Sequence, residues 1–518
     1  MTVNSSKHRA RKDQLPILTT HPEAESNLTA SVRRGAIWSA GATIFLRLGN
    51  ILLMAVVARI VSPEELGIFA LAVTVHAVLV TMAELGVASA IARSDLDVDK
   101  IAPTIVTVSV VSSLVLAAPM AVFADQIAQF VGNEDAGTAL RILSIGVALI
   151  GPLAVPGALL QREFRQKIHF WASAAAFIPG SATLIVLSIL GDGTEAFAWS
   201  RIVGQLVTAG VILACSSRLY LPALNTSLLR PLLAFGLPLA AANLLSQVLL
   251  NADYVFIGQL LPAADLGIYF LAFGIAMWPT SVIGSMLNSV VLPAASGVLR
   301  DGGDVAVAMV QGARTISLVV FPLGAFLFTF ADQLILTIYG PAWVSAGPVL
   351  SILAAYGVLF VFGLFMANIM IAMGKTVILF GVQAAALAAL IPALWTGITL
   401  WGLEGAAIAH IVVAGAVTSP VYLLGLRRSS SLRLSVLFRA IRAPALSAGI
   451  TAVIAWIITL PFRGTGLSLL VGGFVGLVVY TLLNRQALAD LLPGTAGGLL
   501  RGPAFRPTAW LTLRRKKL

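Results

Sequence analysis

The sequence predicts an all-α integral membrane protein of about 14 transmembrane helices: two parallel six-helix repeats followed by two further helices. Three observations lead there. Fourteen apolar stretches follow one another along the chain, separated by short polar turns, and each reaches the roughly 20 residues a helix needs to cross a bilayer. Of 518 residues 58% are hydrophobic and only 11% charged, with a mean hydropathy of +0.96. Backbone in lipid must satisfy its own hydrogen bonds, so stretches of this kind become helices. Finally, one half of the chain repeats motifs of the other.

Residues 1–32 are polar and basic, with Lys7, Arg9, Arg11 and Lys12. They lack the short apolar core and small-residue cleavage site of a signal peptide, and are expected to form a disordered cytoplasmic tail. An N-terminal six-helix bundle is expected over 33–218, with spans near 34–60, 67–92, 101–124, 137–160, 168–190 and 195–217. A second is expected over 219–426, with spans near 231–258, 266–297, 306–330, 345–372, 377–400 and 403–425. Two additional helices, 441–460 and 466–485, fall within 427–485, and 486–518 forms a basic cytoplasmic tail ending in Arg514, Arg515, Lys516 and Lys517.

The cations fix the expected orientation. Arg463 stands in an opposite loop, and Arg47, Arg59, Arg141, Arg201 and Arg314 lie in helices or at their edges. The remaining Lys and Arg residues occupy the two tails and alternate turns, the longest of these turns being near 426–440 with Arg427, Arg428, Arg433 and Arg439. This positive-inside pattern puts both termini in the cytoplasm. It also explains a pI near 10.2 without nucleic acid. The single cysteine, Cys215, cannot form an intrachain disulfide, and no ligand-spaced His/Cys cluster points to a structural metal.

Leu66-Gly67-Ile68-Phe69-Ala70-Leu71-Ala72 returns 200 positions later as Leu266-Gly267-Ile268-Tyr269-Phe270-Leu271-Ala272. Leu140-Arg141-Ile142-Leu143 returns 210 positions later as Leu350-Ser351-Ile352-Leu353. Six helices per unit is an even number, so both units share one orientation, with a substrate path expected between them. Prolines such as Pro152, Pro156, Pro238, Pro322 and Pro392 interrupt several spans, as transporter helices tolerate.

Buried polar groups carry the functional expectation. Ser39, Thr43, Arg47 and Asn50 share one face of the first helix, and Asn243, Gln247 and Asn251 share one face of the seventh. At the 200-residue offset Thr43 meets Asn243 and Arg47 meets Gln247, so both stripes are expected to face one cleft. An arginine at mid-helix costs about 2.5–3.5 kcal/mol on insertion scales and marks function by default. Arg47 is therefore the first anion-binding candidate. Asp253 and Glu84, also within helices, are candidates for binding a proton or sodium ion, or for pairing with arginine. His76 and His410 read as isolated packing histidines. Arg59 and Arg314 lie where snorkelling towards an interface is easy.

Several stretches resemble the polysaccharide transporters, the O-antigen-type flippases of the multidrug/oligosaccharidyl-lipid/polysaccharide exporter superfamily. They are Pro63-Glu64-Glu65-Leu66-Gly67-Ile68-Phe69, Ala83-Glu84-Leu85-Gly86, Leu159-Leu160-Gln161-Arg162-Glu163-Phe164-Arg165, Asp253-Tyr254-Val255-Phe256-Ile257-Gly258 and Tyr339-Gly340-Pro341-Ala342-Trp343. The resemblance spans about residues 33–485. It implies a flippase, not an enzyme, turning an undecaprenyl-diphosphate-linked oligosaccharide from the inner to the outer leaflet of the bacterial cytoplasmic membrane for lipopolysaccharide or exopolysaccharide synthesis. It also implies a cationic cavity between two bundles, for which Arg47, then Arg201 and Arg314, are the candidates. Polysaccharide polymerases and glycosyltransferases are the implied partners; no cofactor is implied beyond proton or sodium coupling. Two alternatives stand beside it. A cation-coupled multidrug exporter of the same superfamily usually has twelve helices and acidic binding residues. A membrane polymerase or glycosyltransferase needs a larger loop to hold donor and acceptor than this chain offers.

Overall fold

The structure, a computed structural model, describes residues 46, 48–84, 91, 98–163, 165–286, 305–462 and 464–491. The expected tail 1–32, most of the first span with Thr43 and Arg47, and the tail beyond residue 491 lie outside the described residues. Every regular element described is helical. Eleven helices are long and apolar enough to cross a membrane, and Leu48–Val57 and Leu467–Leu483 are shorter apolar helices. The chain is a multi-pass helical membrane protein.

The first bundle holds α1 (Leu48–Val57), α2 (Pro63–Ala83), α3 (Val98–Val122), the short α4 (Ala124–Val131), α5 (Ala136–Arg162), α6 (Gln166–Leu190) and α7 (Gly193–Cys215). The second holds α8 (Thr226–Leu260), α9 (Ala263–Ala276), α10 (Trp278–Met286), α11 (Val305–Thr329), α12 (Ala346–Ala372) and α13 (Thr376–Val413), which runs on through a π-turn into α14 (Ser419–Ser429). Two more apolar helices follow, α15 (Leu434–Thr459) and α16 (Leu467–Leu483), then the short Arg485–Leu491.

Local chemistry moves several boundaries from where hydropathy alone puts them. α2 starts at Pro63 rather than 67 because Ser62 and Glu65 form a reciprocal capping box, with Pro63 in the first turn. α8 starts at Thr226 because the Asn225 side-chain Oδ1 accepts the Ser227 N–H at 3.1 Å. The expected long turn near 426–440 is a correction: α14 runs to Ser429 and α15 begins at Leu434, so Arg427 and Arg428 end one helix and Arg439 lies inside the next. Arginine is a good helix former, and cations suit a helix C-terminus. The span near 266–297 breaks after α9 and resumes as α10.

α13 contains two crossings. Trp401 and Gly402 leave helical geometry, with Gly402 at φ +57°. A Cβ placed on Gly405 would sit 1.8 Å from the Gly397 carbonyl oxygen. In a continuous helix eight residues span about 12 Å, so the chain folds back here as a tight helical hairpin.

The repeats meet one another at a seam built from their most similar sequence. α2 packs along α9. A Cβ on Gly67 would lie 1.8 Å from the Ala263 carbonyl oxygen, and one on Gly267 would lie 1.8 Å from that of Pro63. Positions 63/263 and 67/267 are repeat equivalents, so the two contacts are related by a local two-fold. Only glycine permits this backbone approach. Further bonds cross the same end of the molecule. Arg59 donates to the Thr337 carbonyl at 3.3 Å, and its repeat equivalent Gln259 donates to that of Phe130 at 2.9 Å. The Trp343 indole N–H donates to the Ala58 carbonyl at 2.7 Å.

Packing differs between the two ends. At the seam end one apolar core includes residues of both bundles, such as Val61, Leu66, Val131, Ile257, Leu266 and Trp343. At the opposite, arginine-rich end the apolar side chains form separate clusters: Ile101, Ile105, Val155 and Leu159 in the first bundle, and Met309, Phe365, Met370 and Leu426 in the second. The first of these clusters also takes in Leu228 and Leu232 of α8, and the Ala223 and Asn225 N–H groups donate to Pro103 and Thr104, so among the described residues the bundles touch at both ends, with the larger shared core at the seam.

Candidate functional site

Two polar constellations lie at membrane depth, one in each bundle. In the second bundle, α8 places Asp253 about 10 Å from its seam end, at about 1.5 Å per residue to Leu260. The carboxylate is 0% exposed. Its Oδ2 accepts the Tyr269 hydroxyl at 3.0 Å and lies 3.1 Å from His410 Nε2, while Oδ1 accepts the Tyr254 backbone N–H at 3.0 Å. Tyr254, Tyr269, Phe273 and Tyr356 pack edge-on or tilted around the pair, and the Tyr356 ring stands 4.7 Å from that of His410. Aromatic packing excludes water while the hydroxyl and imidazole satisfy the carboxylate.

In the first bundle, Arg201 lies about 12 Å into α7, eight residues past Gly193 at about 1.5 Å each. It is exposed and, among the described residues, pairs with no carboxylate. His76 is close enough to feel its charge. Neither ring nitrogen of the buried His76 has a hydrogen-bond partner among the described residues. Gln205 donates to the Gly146 carbonyl at 2.9 Å beside it. Arg314 stands about 14 Å into α11, nine residues past Val305 at about 1.5 Å each. It shares an exposed stripe with Gln311, and no described carboxylate pairs with it. Among the described residues, then, neither guanidinium is neutralised by a carboxylate.

The remaining expected site residues are scattered. Gln247 donates to Thr81 Oγ1 at 3.1 Å, bridging α8 to α2. Asn251 donates to the Gln247 carbonyl at 2.7 Å and Asn50 to that of Leu46 at 2.9 Å, each a bond to its own helix. Asn243 is exposed on α8, and Glu84 is exposed at the end of α2. Thr43 and Arg47 lie outside the described residues. Arg59, exposed at the end of the first span, also reaches across the seam to the Thr337 carbonyl.

The reading of His410 as an isolated packing residue is overturned, because the fold brings it onto Asp253 across 157 positions. A repeat match would have marked it. Gly193, Glu195, Ala198, Ile202 and Val203 recur as Gly402, Glu404, Ala407, Ile411 and Val412, which sets Arg201 opposite His410.

The model of the polysaccharide biosynthesis protein family matches residues 56–348, more than half of the chain. The chain belongs to this family. Among its relatives, the succinoglycan biosynthesis transport protein ExoT of Rhizobium meliloti is 25% identical, over 84% of this chain and 90% of that protein. The lipopolysaccharide biosynthesis protein WzxC of Escherichia coli is 23% identical, over 73% and 77%. In fold the family member is similar to a solved structure of the lipid II flippase MurJ in an inward closed conformation, with a TM-score of 0.70, 15% identity, and coverage of 88% of this chain and 99% of that one.

Proposed function

We propose that this polysaccharide biosynthesis protein is a flippase that carries an undecaprenyl-diphosphate-linked oligosaccharide from the inner to the outer leaflet of the bacterial cytoplasmic membrane, for assembly of a cell-surface polysaccharide. Its relatives, by name, serve polysaccharide synthesis, one of them in transport. The observation that carries the reading is the pair of guanidinium groups, Arg201 and Arg314, with no carboxylate partner among the described residues, in two bundles whose largest shared core lies at the seam.

The physics follows from the substrate's charge. A diphosphate is excluded by lipid tails, and arginine binds phosphate through a planar two-pronged fork. The prenyl tail stays in the bilayer while the head crosses between the bundles. Positive-inside placement sets the basic end, and both termini, in the cytoplasm. The described state is then closed at its outer, seam end. Residues 33–218 and 219–426 rock as units about the Gly67–Gly267 seam, with 427–485 alongside. Arg47, Arg201 and Arg314 meet the diphosphate; Thr43, Asn50, Asn243, Gln247 and Asn251 offer hydrogen bonds to sugar hydroxyls. Glycosyltransferases supply the substrate and a polymerase consumes the product; flipping itself makes no bond.

Moving two negative charges out, down a potential negative inside, releases about 4.6 kcal/mol per 100 mV, from about 2.3 per charge. The test is flipping of a fluorescent prenyl-diphosphate-linked oligosaccharide by the purified chain in vesicles. Translocation at a rate above protein-free vesicles is expected. Formation of a lengthened glycan instead, with no translocation, contradicts the reading.

A further inference from the structure

The second bundle's buried cluster has a chemistry that anion transport does not use. Asp253 is sealed from solvent, and each hydrogen-bond contact on its carboxylate comes from a hydroxyl, a backbone N–H or an imidazole. The titratable groups that face it are Tyr254 on its own helix α8, Tyr269 on α9, Tyr356 on α12 and His410 on α13. No described Lys or Arg comes within ion-pair distance. A metal cation needs several oxygen ligands. Here both carboxylate oxygens are already taken by hydrogen-bonding groups, and no group of three or more His, Cys, Asp or Glu able to hold a metal occurs among the described residues.

We propose that Asp253, His410 and Tyr269 form a proton-binding site whose occupancy sets whether the seam between the two bundles is closed. The inference builds on the reading of the chain as a transporter and names its coupling ion. One proton shared by Asp253 Oδ2 and His410 Nε2 leaves the pair neutral overall. With that proton gone, a carboxylate remains in a dry aromatic pocket, and an uncompensated buried charge is strongly unfavourable. Water relieves it only if α8, α9 and α13 move apart. Tyr269 lies two residues past Gly267, the glycine that presses on the Pro63 carbonyl. Loosening α9 at Tyr269 therefore acts on the seam itself. Proton binding closes the seam; proton loss opens it. The proton returns to the pair without any change in covalent bonding elsewhere.

The test needs no substrate. Asp135 and Ser345 are exposed at the seam end, each just ahead of a helix of a different bundle, and neither side chain caps its helix. Spin labels at Asp135→Cys and Ser345→Cys, in a Cys215→Ser background of the full chain in vesicles, report the seam's width. The label distance is expected to be short in acid and to lengthen as pH rises. The double variant Asp253→Asn, His410→Gln keeps polar side chains at both positions and removes the titration, so its distance is expected not to change with pH. An unchanged pH response in the double variant, or a response to sodium at fixed pH in place of one to protons, overturns the proposal. A pH-dependent seam in a chain that flips no prenyl-diphosphate substrate would instead defeat the transport reading and leave the proton site standing.

Discussion

Equivalent positions of the two bundles hold opposite chemistry. In the second bundle they carry Asp253, Tyr269 and His410; 200 or 209 positions earlier stand Leu53, Phe69 and Arg201. The first set is a carboxylate, a hydroxyl and an imidazole closed on one another and out of contact with solvent. The second is a methyl-rich side chain, a ring stacked on Phe197 at 5.0 Å, and an exposed guanidinium. One scaffold, duplicated, has these three positions compensated among themselves in the second bundle and leaves a positive charge without a described acid partner at them in the first.

The comparison breaks most visibly at His410. His410→Ala leaves Asp253 buried without its imidazole and should destabilise the protein by about 3–5 kcal/mol, read as a fall in thermal midpoint in detergent. A cost near zero would show that the second bundle is not compensated as described. Gly67→Ala and Gly267→Ala test the two-fold at the seam. Each adds a methyl 1.8 Å from a carbonyl oxygen, and the two should cost alike, about 1–3 kcal/mol. A large difference between them would break the symmetry. Trp343→Phe removes a bond that has no counterpart among the described residues of the first bundle, where the equivalent position is Asn133; about 1 kcal/mol is expected. Arg201→Ala, lacking any described acid partner to orphan, should leave stability within about 0.5 kcal/mol of the parent by the same thermal assay. A marked loss of stability would mean that the first bundle depends on this cation for its packing.

Much of this was legible in the residues. Hydropathy marked the crossings, and the repeat Leu66–Ala72/Leu266–Ala272 turned out to be the seam itself, since a two-fold contact requires both partners to keep glycine and small neighbours. Helix ends were less legible, because Ser62 and Asn225 cap through geometry that apolar periodicity does not register. The Asp253–His410 pair was half legible: a lone acid in a helix invites a partner, but the partner stood 157 positions away on a helix that closes beside α8 only in the folded bundle. Arg201 read as a cation of uncertain place; its match to His410 needed the second repeat offset. The polar stripe of α8 was legible as a shared face, but not the bonds within it, Gln247 to Thr81 and Asn251 to its own helix.

The most direct measurement is flipping of the fluorescent prenyl-diphosphate-linked oligosaccharide in vesicles, at a clamped potential, by Arg201→Ala and Arg201→Lys. Loss of a charged hydrogen bond worth about 1.5–3 kcal/mol predicts a fall of about tenfold to a hundredfold for alanine, with lysine retaining part of the rate. Undiminished flipping by a folded Arg201→Ala chain would contradict the assignment of Arg201 to the anionic head group.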